Sequence, residues 1–501
     1  MKTIIILLFT VLILTSCNNN RSNQETKKTV ITGQVEDFDE ISKHKIIKIY
    51  RTDLLESENL ESQQINKNGQ FRFEFNIKEP IEFNLIYSDY LRYYVFPGDS
   101  LHITISSDCW KTVTNTHAEE SRFYKITGGS EKMNSDISKF MSIYRDSLVN
   151  EPAISDSIKS MEALDFLKFK TDHFNELQKS LDLFNKAENT CPEFRKWAKN
   201  HIKYDHWTRL MNYRNFHAEA INEDITSYVT KMPPEYFDFL DKLENARGDE
   251  INGETYHHFL HEYTMYVNQM IPLDSQNYIM SVSEDFDKVA SFLLRYYNRA
   301  ETGFLKDVLI SKYYYRLLEA KYYAQLKNIF DINLISDKGL RERIQQKYDL
   351  EKSLYETPQF SEGTKLNELK NENDFLNTLI KEHPNKVLYI DFWAPWCKPC
   401  MNEMSDSKKI KDYFQDKNIA FVYLASNCKE GAWKSTIAEH KIDGEHYLLS
   451  KTQSAQLNDI FKITGIPHYV LIDKKGNIVN GDAPRPSSNK ELIKLLEKNL
   501  Q

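Results

Sequence analysis

The spacing of hydrophobic positions along this chain changes twice, and each change marks a predicted domain boundary. Between residues 29 and 110, apolar and polar side chains alternate in short runs. The clearest run follows the turn signal Asn68-Gly69 and is apolar at every second position from Phe71 to Ile77. Short alternating runs of this kind predict an antiparallel β-sandwich over residues 29–110. Its other predicted strands span residues 29–35, 45–50, 83–87, 93–96 and 101–105.

The middle of the chain has a helical pattern. From residue 130 to residue 356, apolar side chains recur at helical spacing, while prolines and glycines become rare. Prolines at positions 192, 233–234 and 272 and the glycine at 303 separate helical runs. The clearest predicted helices span residues 155–185, 193–216 and 306–326. This pattern predicts a central all-α domain over residues 130–356.

The last part of the chain alternates strands with helices. After a helix over residues 371–382, the pattern predicts strand 387–392, helix 397–416, strand 419–425, helix 431–440, strand 446–449, helix 453–461, a proline-containing loop, a hairpin over 468–480 and a final helix from Asn489. This βαβ order predicts an α/β domain over residues 358–501. The whole chain is therefore predicted to be a multidomain protein.

The amino-terminal segment has the pattern of a lipoprotein signal. Lys2 precedes an apolar run from Ile4 to Leu14 that is too short to span a bilayer permanently. The run ends in Leu14-Thr15-Ser16-Cys17, which resembles a bacterial lipobox. That resemblance implies that residues 1–16 are a cleaved signal peptide and that Cys17 carries lipid; an ordinary secretory signal is the alternative. Residues 17–28 are polar and predict a flexible tether.

The length, charge and cysteine content of the chain limit which folds and functions are possible. A chain of 501 residues is too long for one hydrophobic core. The formal net charge is −8, and removal of residues 1–16 takes away Lys2 and makes it −9. An acidic balance argues against nucleic acid as a partner, because a basic surface supplies most of such binding. With only six cysteines, disulfides are not a structural framework here.

Two cysteines follow the strand predicted at residues 387–392, in the run Trp396-Cys397-Lys398-Pro399-Cys400. If Cys397 begins a helix, Cys397 and Cys400 lie on one helix face, close enough to form a disulfide. The helix N-terminus favours an anion, so the Cys397 thiolate is stabilised there; comparable sites have a thiol pKa near ~7. Pro399 suits a first helical turn because that turn needs no amide donor. The motif predicts a redox dithiol.

The alternative for a CxxC motif is half of a zinc site. Zinc needs a second Cys or His pair at metal spacing. Cys428 stands alone, and His440 and His446 are six residues apart, so no such pair follows. The sequence therefore predicts no metal at Cys397 and Cys400.

A second segment strengthens the redox interpretation. Thr464-Gly465-Ile466-Pro467 forms a turn that leads into the strand-like run His468 to Asp473. An X–Pro bond in a tight turn is a candidate for cis geometry. With WCxxC about seventy residues earlier, this segment resembles the thioredoxin superfamily and, within it, the TlpA/ResA-like thiol–disulfide oxidoreductases of the bacterial envelope. The resemblance implies a thioredoxin fold for residues 358–501, with Ile466 and Pro467 as the client-binding loop.

The same resemblance gives roles to nearby residues. Asp391 matches the buried acid that relays the proton of the second cysteine in thioredoxins, and Glu403 matches the acid that many TlpA/ResA-like proteins use instead. The alternatives are an Asp391 that only ends a strand and a solvated Glu403. Trp393 and Trp396 are expected to shape the client site. The family's helix-kinking proline and its basic residue after the second cysteine are replaced by Ser405 and Met401.

Several other residues keep two interpretations. His257 and His261 are one helical turn apart, as in some metal sites, but a solvated helix face is favoured. The tyrosines at 313–315 and 322–323 either line a groove for extended polypeptide or pack between helices, which is favoured. Cys428 is interpreted as structural rather than as a third redox thiol. Cys109 and Cys191 have no readable partner.

The predicted function is dithiol–disulfide exchange by an envelope protein. Cys397 and Cys400 would reduce disulfides of client proteins, without a cofactor, and the resemblance implies a membrane electron donor. The protein is predicted to be lipid-anchored through Cys17 and to face the periplasm, with the outer membrane favoured over the inner. The alternative is a surface or periplasmic binding or scaffold lipoprotein in which the redox domain is secondary.

Overall fold

The computed structural model describes residues 27–38, 46–51, 54–55, 59–77, 81–87, 89–95, 99–106, 124–149, 160–243, 253–281, 285–300, 303–367 and 374–501. Cys17, Cys109, the predicted signal peptide and most of the predicted tether lie outside these residues. The chain divides into two units, Met1–Met270 and Ile271–Gln501. Among the described residues, no helix has both the length and the apolar character that a membrane crossing requires.

The first unit begins with two four-stranded sheets, in the orders β4-β1-β7-β8 and β3-β2-β5-β6. Alternation of apolar residues forms these strands: in β4 every second side chain is buried, from Phe71 to Ile77. Side chains from both sheets meet in one hydrophobic cluster. The strands are β1 Lys27–Val35, β2 Ile46–Arg51, β3 Asn59–Gln64, β4 Gln70–Ile77, β5 Ile81–Tyr87, β6 Asp89–Val95, β7 Ser100–Ile105 and β8 Tyr124–Gly128.

The prediction of a purely antiparallel arrangement is wrong at one strand pair. β1 and β7 run parallel, with Val30 opposite Ser100 and Val35 opposite Ile105. The sequence pattern could not show this, because buried alternation is the same in both orientations. Two strands were also missed. β3 contains Glu61 and two glutamines and is too polar to stand out, and β8 lies beyond the predicted β-region.

Helices complete the first unit. Their apolar faces pack together, with Phe140, Phe184 and Phe194 in mutual ring contact at centroid distances of 5.7 Å. The helices predicted at 155–185 and 193–216 correspond to Ala163–Ala187 and Pro192–Ala220. The α-helices are α1 Glu131–Val149, α2 Ala163–Ala187, α3 Pro192–Ala220, α4 Ile225–Lys231 and α5 Glu254–Gln269, with a 3-10 helix over Pro234–Leu243.

The second unit contains both helices and the carboxyl-terminal sheet. The predicted all-α domain over residues 130–356 is therefore divided at residue 270, because the helices after it group with the sheet of residues 364–480. The helix predicted at 306–326 is two helices, Gly303–Glu319 and Tyr323–Leu326. The helices before the sheet are α6 Leu273–Ser281, α7 Phe286–Ala300, α8 Gly303–Glu319, α9 Tyr323–Leu326 and α10 Lys338–Glu356, with a 3-10 helix over Ile332–Leu334.

The carboxyl-terminal sheet has six strands in the order β14-β13-β10-β11-β12-β9. The α/β domain predicted there is confirmed, and β11 has the predicted bounds. The edge strand β9 was missed, since four residues are too few to show a period. The elements are β9 Thr364–Asn367, α11 Phe375–Glu382, β10 Val387–Trp393, α12 Lys398–Tyr413, β11 Ile419–Ala425, α13 Glu430–His440, β12 Gly444–Leu448, α14 Lys451–Phe461, β13 His468–Ile472, β14 Ile478–Asn480, a 3-10 helix over Pro486–Ser488 and α15 Asn489–Leu500.

Candidate active site

The central strand β10 carries the site. Every residue of β10 is buried, because it pairs in parallel with β11 on one side and antiparallel with β13 on the other. Side chains alternate along the strand, so Tyr389, Asp391 and Trp393 share one face. Tyr389 and Trp393 belong to the hydrophobic cluster that also contains Cys397 and Cys400. Asp391 therefore points to the face of the sheet that holds both cysteines.

The two cysteines lie where β10 ends and α12 begins. Their sulfurs form a disulfide with an S–S distance of 1.99 Å and a Cα–Cα distance of 5.3 Å. Cys397 caps the helix: its sulfur accepts the amide N–H of Cys400 at 3.2 Å. Pro399 occupies the first turn of α12, where a missing N–H costs nothing. The helix N-terminus thus presents donors to the Cys397 sulfur, which is the condition for a stabilised thiolate.

The two tryptophans of the motif have different surroundings. Trp393 is fully buried, whereas Trp396 is 54% exposed. The indole N–H of Trp396 donates to the backbone oxygen of Asn427 at 3.0 Å, which holds the ring in place. Trp396 is therefore the tryptophan that a second molecule can touch, and Trp393 supports the cysteine turn from inside.

The peptide bond between Ile466 and Pro467 is cis. Phe392, near the end of β10, pairs with His468, the first residue of β13. Pro467 precedes His468, and the turn to Cys397 leaves the same end of β10, so both loops leave the same edge of the sheet. Ile466 packs against the cluster that contains Cys397 and Cys400. The structure thus brings together the two segments that the sequence paired at a distance.

The carboxyl group of Asp391 lies in an apolar environment. It is 2% exposed, and neither of its carboxylate oxygens has a hydrogen-bond partner. Burial raises the pKa of Asp391 well above its ordinary value, and the negative charge of Glu403 raises it further. A carboxyl group with a raised pKa is suited to exchange protons with a thiol near neutral pH.

Glu403 is buried rather than solvated, and it has two hydrogen bonds from one residue. The backbone N–H and the hydroxyl of Ser487 each donate to its carboxylate, both at 2.9 Å. Ser487 lies in the 3-10 helix before α15, 84 residues further along the chain. Sequence reasoning missed Ser487, because nothing in its neighbourhood has a recognisable spacing to the CxxC motif.

The departures from the family pattern leave the helix intact. α12 continues from Lys398 to Tyr413, through the exposed Ser405 and the half-buried Met401. Cys428 lies in the loop after β11 as a free, partly buried thiol. Burial raises the pKa of Cys428 to about 12, so it stays protonated at neutral pH. Its interpretation as a non-redox residue agrees with that environment. Cys191 is also a free thiol.

The histidine pair on α5 does not form the solvated face expected from the sequence. His257 is buried, while His261 is exposed. Within the described residues, no group of three or more potential metal-ligating side chains is present. Among the tyrosines, Tyr314 and Tyr323 are buried in helix packing as expected, but Tyr322 is 40% exposed.

Comparison with known proteins agrees with this geometry. Residues 385–478 match a family model described as Thioredoxin-like, and this segment contains β10, the CxxC motif and the proline loop. A thiol–disulfide oxidoreductase ResA of Bacillus cereus is 23% identical over 100 residues, which cover 20% of this chain and 56% of that protein. This chain thus spans about half the length of the curated relatives it matches.

Two solved structures are also similar to this part of the chain. A Bacteroides vulgatus protein described as a putative thiol–disulfide oxidoreductase is 34% identical, with coverage of 24% of this chain and 82% of that chain and a TM-score of 0.22. StoA from Bacillus subtilis is 19% identical, with coverage of 22% and 84% and a TM-score of 0.19. Together with the family model and the curated relatives, the site identifies the carboxyl-terminal domain of this chain as a TlpA/ResA-like member of the thioredoxin superfamily.

Proposed function

We propose that this protein is a membrane-anchored thiol–disulfide oxidoreductase that reduces disulfides of client proteins outside the cytoplasm. The observation that carries the proposal is the Cys397–Cys400 disulfide at the start of α12, at the same edge of the sheet as the cis Ile466–Pro467 bond. A dithiol at a helix N-terminus can give electrons as a pair, because forming the disulfide releases two of them. The names of the curated relatives support the same reaction class.

The reaction begins with the reduced enzyme. The Cys397 thiolate attacks one sulfur of the client disulfide, whose S–S bond breaks as a mixed disulfide forms. The second client sulfur leaves as a thiolate and takes a proton. The Cys400 thiolate then attacks the Cys397 sulfur, which forms the Cys397–Cys400 bond and releases the first client sulfur as a thiolate that takes a proton. Two electrons have passed to the client, and a dithiol donor must reduce the enzyme again.

The resolving step needs a base for Cys400. Asp391 is the proposed base, because its raised pKa lets the carboxylate take the thiol proton near neutral pH. Glu403 acts through its charge, which helps to hold that pKa high. Ile466 and Pro467 would hold the client backbone, and Trp396 would contact the client. Ile before the loop proline resembles reducing members of the family, which favours reductase over oxidase.

The reductase direction is tested by redox titration of the full chain against dithiothreitol buffers. One reversible two-electron step at Cys397 and Cys400 is expected. A potential near that of the strong oxidants, about −120 mV, would reverse the direction of the proposed reaction. Absence of any reversible redox step would contradict the proposed oxidoreductase function.

Replacing Cys400 with Ser is expected to trap client proteins. The variant keeps the attacking thiol but cannot resolve the mixed disulfide, so covalent complexes should accumulate and disappear on treatment with dithiothreitol. The measurement is non-reducing electrophoresis of the tagged full chain from cells, followed by identification of the partners. The control carries both Cys397→Ser and Cys400→Ser and should trap nothing. Equal trapping by the control, or no trapping with an unaltered phenotype, would favour the scaffold alternative.

Anchoring through Cys17 is part of the proposal and has its own test. Changing Cys17 to Ser is expected to abolish incorporation of labelled palmitate and to keep the chain as its uncleaved precursor. Cys191→Ser serves as the control, because Cys191 is a partly buried thiol just before α3 and its loss should leave labelling unchanged. Unchanged palmitate incorporation in the Cys17 variant contradicts the lipid anchor. Fractionation of the labelled protein then distinguishes the outer membrane, which is proposed, from the inner.

A further inference from the structure

A pocket of about 450 Å³ lies directly beside the CxxC motif. The helices that precede the sheet form one wall, and the loops at the end of the sheet form the other. Trp396, which immediately precedes Cys397, belongs to the second wall. The lining includes Ala320 and Tyr322 from the turn between α8 and α9, Tyr355 from α10, and Trp396, Cys428 and Leu449 from the sheet side. Because both walls belong to the unit Ile271–Gln501, the pocket is a feature of one unit.

The helical wall is tightly attached to the redox domain. The Tyr355 ring packs on Gly431 of α13 so closely that an added Cβ there would lie 2.0 Å from the ring. Lys321 is buried and pairs with Glu351 of α10 at 2.9 Å and with Glu439 of α13 at 2.5 Å. These contacts fix the helices at the edge of the sheet, so the pocket has a defined shape before any ligand arrives.

The lining combines apolar contact area with a cationic rim. Tyr322 stacks on Phe286 at a ring-centroid distance of 5.2 Å, and the Trp396 ring is held by its bond to Asn427. Both rings are therefore pre-oriented but remain partly exposed. Lys429 and Lys451, both exposed, also line the pocket. Its volume is within the range of about 300–1,000 Å³ that is usual for ligand sites.

We infer that this pocket binds the client polypeptide next to its reactive cysteine and thereby selects clients. An aromatic or large apolar side chain enters between Tyr322 and Trp396, and an acidic neighbour lies against Lys429 and Lys451. A client cysteine bonded to Cys397 has its flanking residues next to Trp396, because consecutive Cα atoms are only about 3.8 Å apart. This inference rests on the proposed function and assigns to the helices of residues 303–356 a role in client recognition.

The free thiol in the pocket fits this role. Cys428 is partly buried and is protonated at neutral pH, so it offers apolar surface to a ligand and does not compete with Cys397 for the disulfide.

The inference is tested with three small disulfides that share thionitrobenzoate as the leaving group. In two of them, thionitrobenzoate is bonded to the cysteine of the peptide Glu-Phe-Cys-Ser or Glu-Gly-Cys-Ser. In the third, it is bonded to the sulfur of cysteamine. In each reaction the Cys397 thiolate attacks the sulfur of the peptide or of cysteamine, and the coloured thiolate leaves. With the reduced full chain, the Phe peptide should react about five- to tenfold faster than the Gly peptide, as expected for one aromatic contact.

Tyr322→Ala should remove that preference. We expect the second-order rate constant for the Phe peptide to fall about five- to tenfold, with the cysteamine rate unchanged. Tyr278→Ala is the matched control: Tyr278 is 42% exposed, its ring is tilted against that of Phe292 at a centroid distance of 5.9 Å, and it does not line the pocket. It should change neither rate.

Charge is tested in the same assay. Lys451→Glu should lower the rate for the Glu-containing peptides severalfold at low salt, and high salt should abolish the difference. The control is Lys475→Glu, because Lys475 follows β13 at the opposite end of the sheet from Cys397.

The possible outcomes distinguish a failure of the pocket assignment from a failure of the proposed oxidoreductase function. Equal peptide rates in Tyr322→Ala and Tyr278→Ala would overturn the pocket assignment while leaving the oxidoreductase intact. An equal fall for the peptides and cysteamine in Tyr322→Ala would also overturn it, since the effect would then lie in the dithiol. A wild-type chain that reacts with none of these disulfides contradicts the proposed function instead.

Discussion

Asp391→Asn is expected to slow resolution of the mixed disulfide by about two orders of magnitude, the usual contribution of a positioned general base. The amide has nearly the same shape as the carboxyl group but cannot take the Cys400 proton. Attack by Cys397 on a client disulfide should change much less, since that thiolate is stabilised by the start of α12. Stopped-flow measurement of mixed-disulfide formation and decay separates the two steps.

The same substitution is expected to stabilise the protein at neutral pH. Burial gives Asp391 a higher pKa in the folded than in the unfolded chain, so between these two values the folded state binds more protons. The free energy of unfolding therefore falls as pH rises from the unfolded value of about 3.9 through the folded pKa. Asn has no such cost. The variant should be more stable than wild type near pH 7, and this advantage should vanish below about pH 4.

The control for both effects is Asp412→Asn, which alters an exposed carboxylate on α12. It should change neither the resolution rate nor the pH dependence of unfolding. Glu403→Gln gives a further check, because removal of a like charge lowers the pKa of Asp391. The resolution rate should then reach its plateau at lower pH than in wild type. An Asp391→Asn variant that resolves mixed disulfides at the wild-type rate contradicts the role as base.

Lys321→Met is expected to destabilise the second unit by about 3 kcal/mol. Lys321 is buried between Glu351, which is 1% exposed, and Glu439, which is 26% exposed. Removing one partner of a buried pair leaves an uncompensated charge, which typically costs about 3–5 kcal/mol. Lys347 remains near Glu351 at 3.1 Å and offsets part of that cost. Met keeps the length of the side chain.

The loss of stability in Lys321→Met is expected to depend on pH. Burial raises the pKa of Glu439, but the charge and hydrogen bond of Lys321 outweigh it, so the pKa is lowered overall. A lowered carboxyl pKa contributes stability above the unfolded value of about 4.3, and that stability is lost as pH falls. The difference between wild type and Lys321→Met should therefore be largest near pH 7 and smaller in acid.

Hydrogen exchange as a function of urea measures this loss locally, in α10 and α13. Lys338→Met is the control, because Lys338 pairs with Glu342 at the surface, where both side chains are more than half exposed. A surface pair of this kind contributes at most about 1 kcal/mol. If the two variants lose equal stability, the buried ion pairs do not attach the helices to the redox domain. The peptide preference should also weaken in Lys321→Met, since the same attachment shapes the pocket.

The redox chemistry was predictable because its signals lie within short stretches. Cys397, Pro399 and Cys400 occupy a single helical turn, so their geometry follows from local backbone structure. The strand before them is apolar at every position except Asp391, which made that residue visible as an acid in a buried strand. The boundaries of β11, and those of β10 to within one residue, followed from composition for the same reason.

Other parts of the site depend on contacts between distant residues. Ser487 reaches Glu403 across 84 residues, and Lys321 reaches Glu439 across 118. No period or spacing in the sequence encodes such pairs. The division of the helical region at residue 270 is of the same kind, because apolar side chains recur at helical spacing on both sides of it.

The sequence by itself determined the reacting sulfurs, the helix that presents them and the proline loop, because each is specified by residues close together in the chain. Tertiary structure decided the pKa of Asp391, the partner of Glu403 and the pocket beside Trp396. Those properties arise from burial and from side chains that only the folded chain brings into contact. Local structure depends on residues that are close together in the chain, whereas the electrostatic environment of a group depends on all the side chains that pack around it.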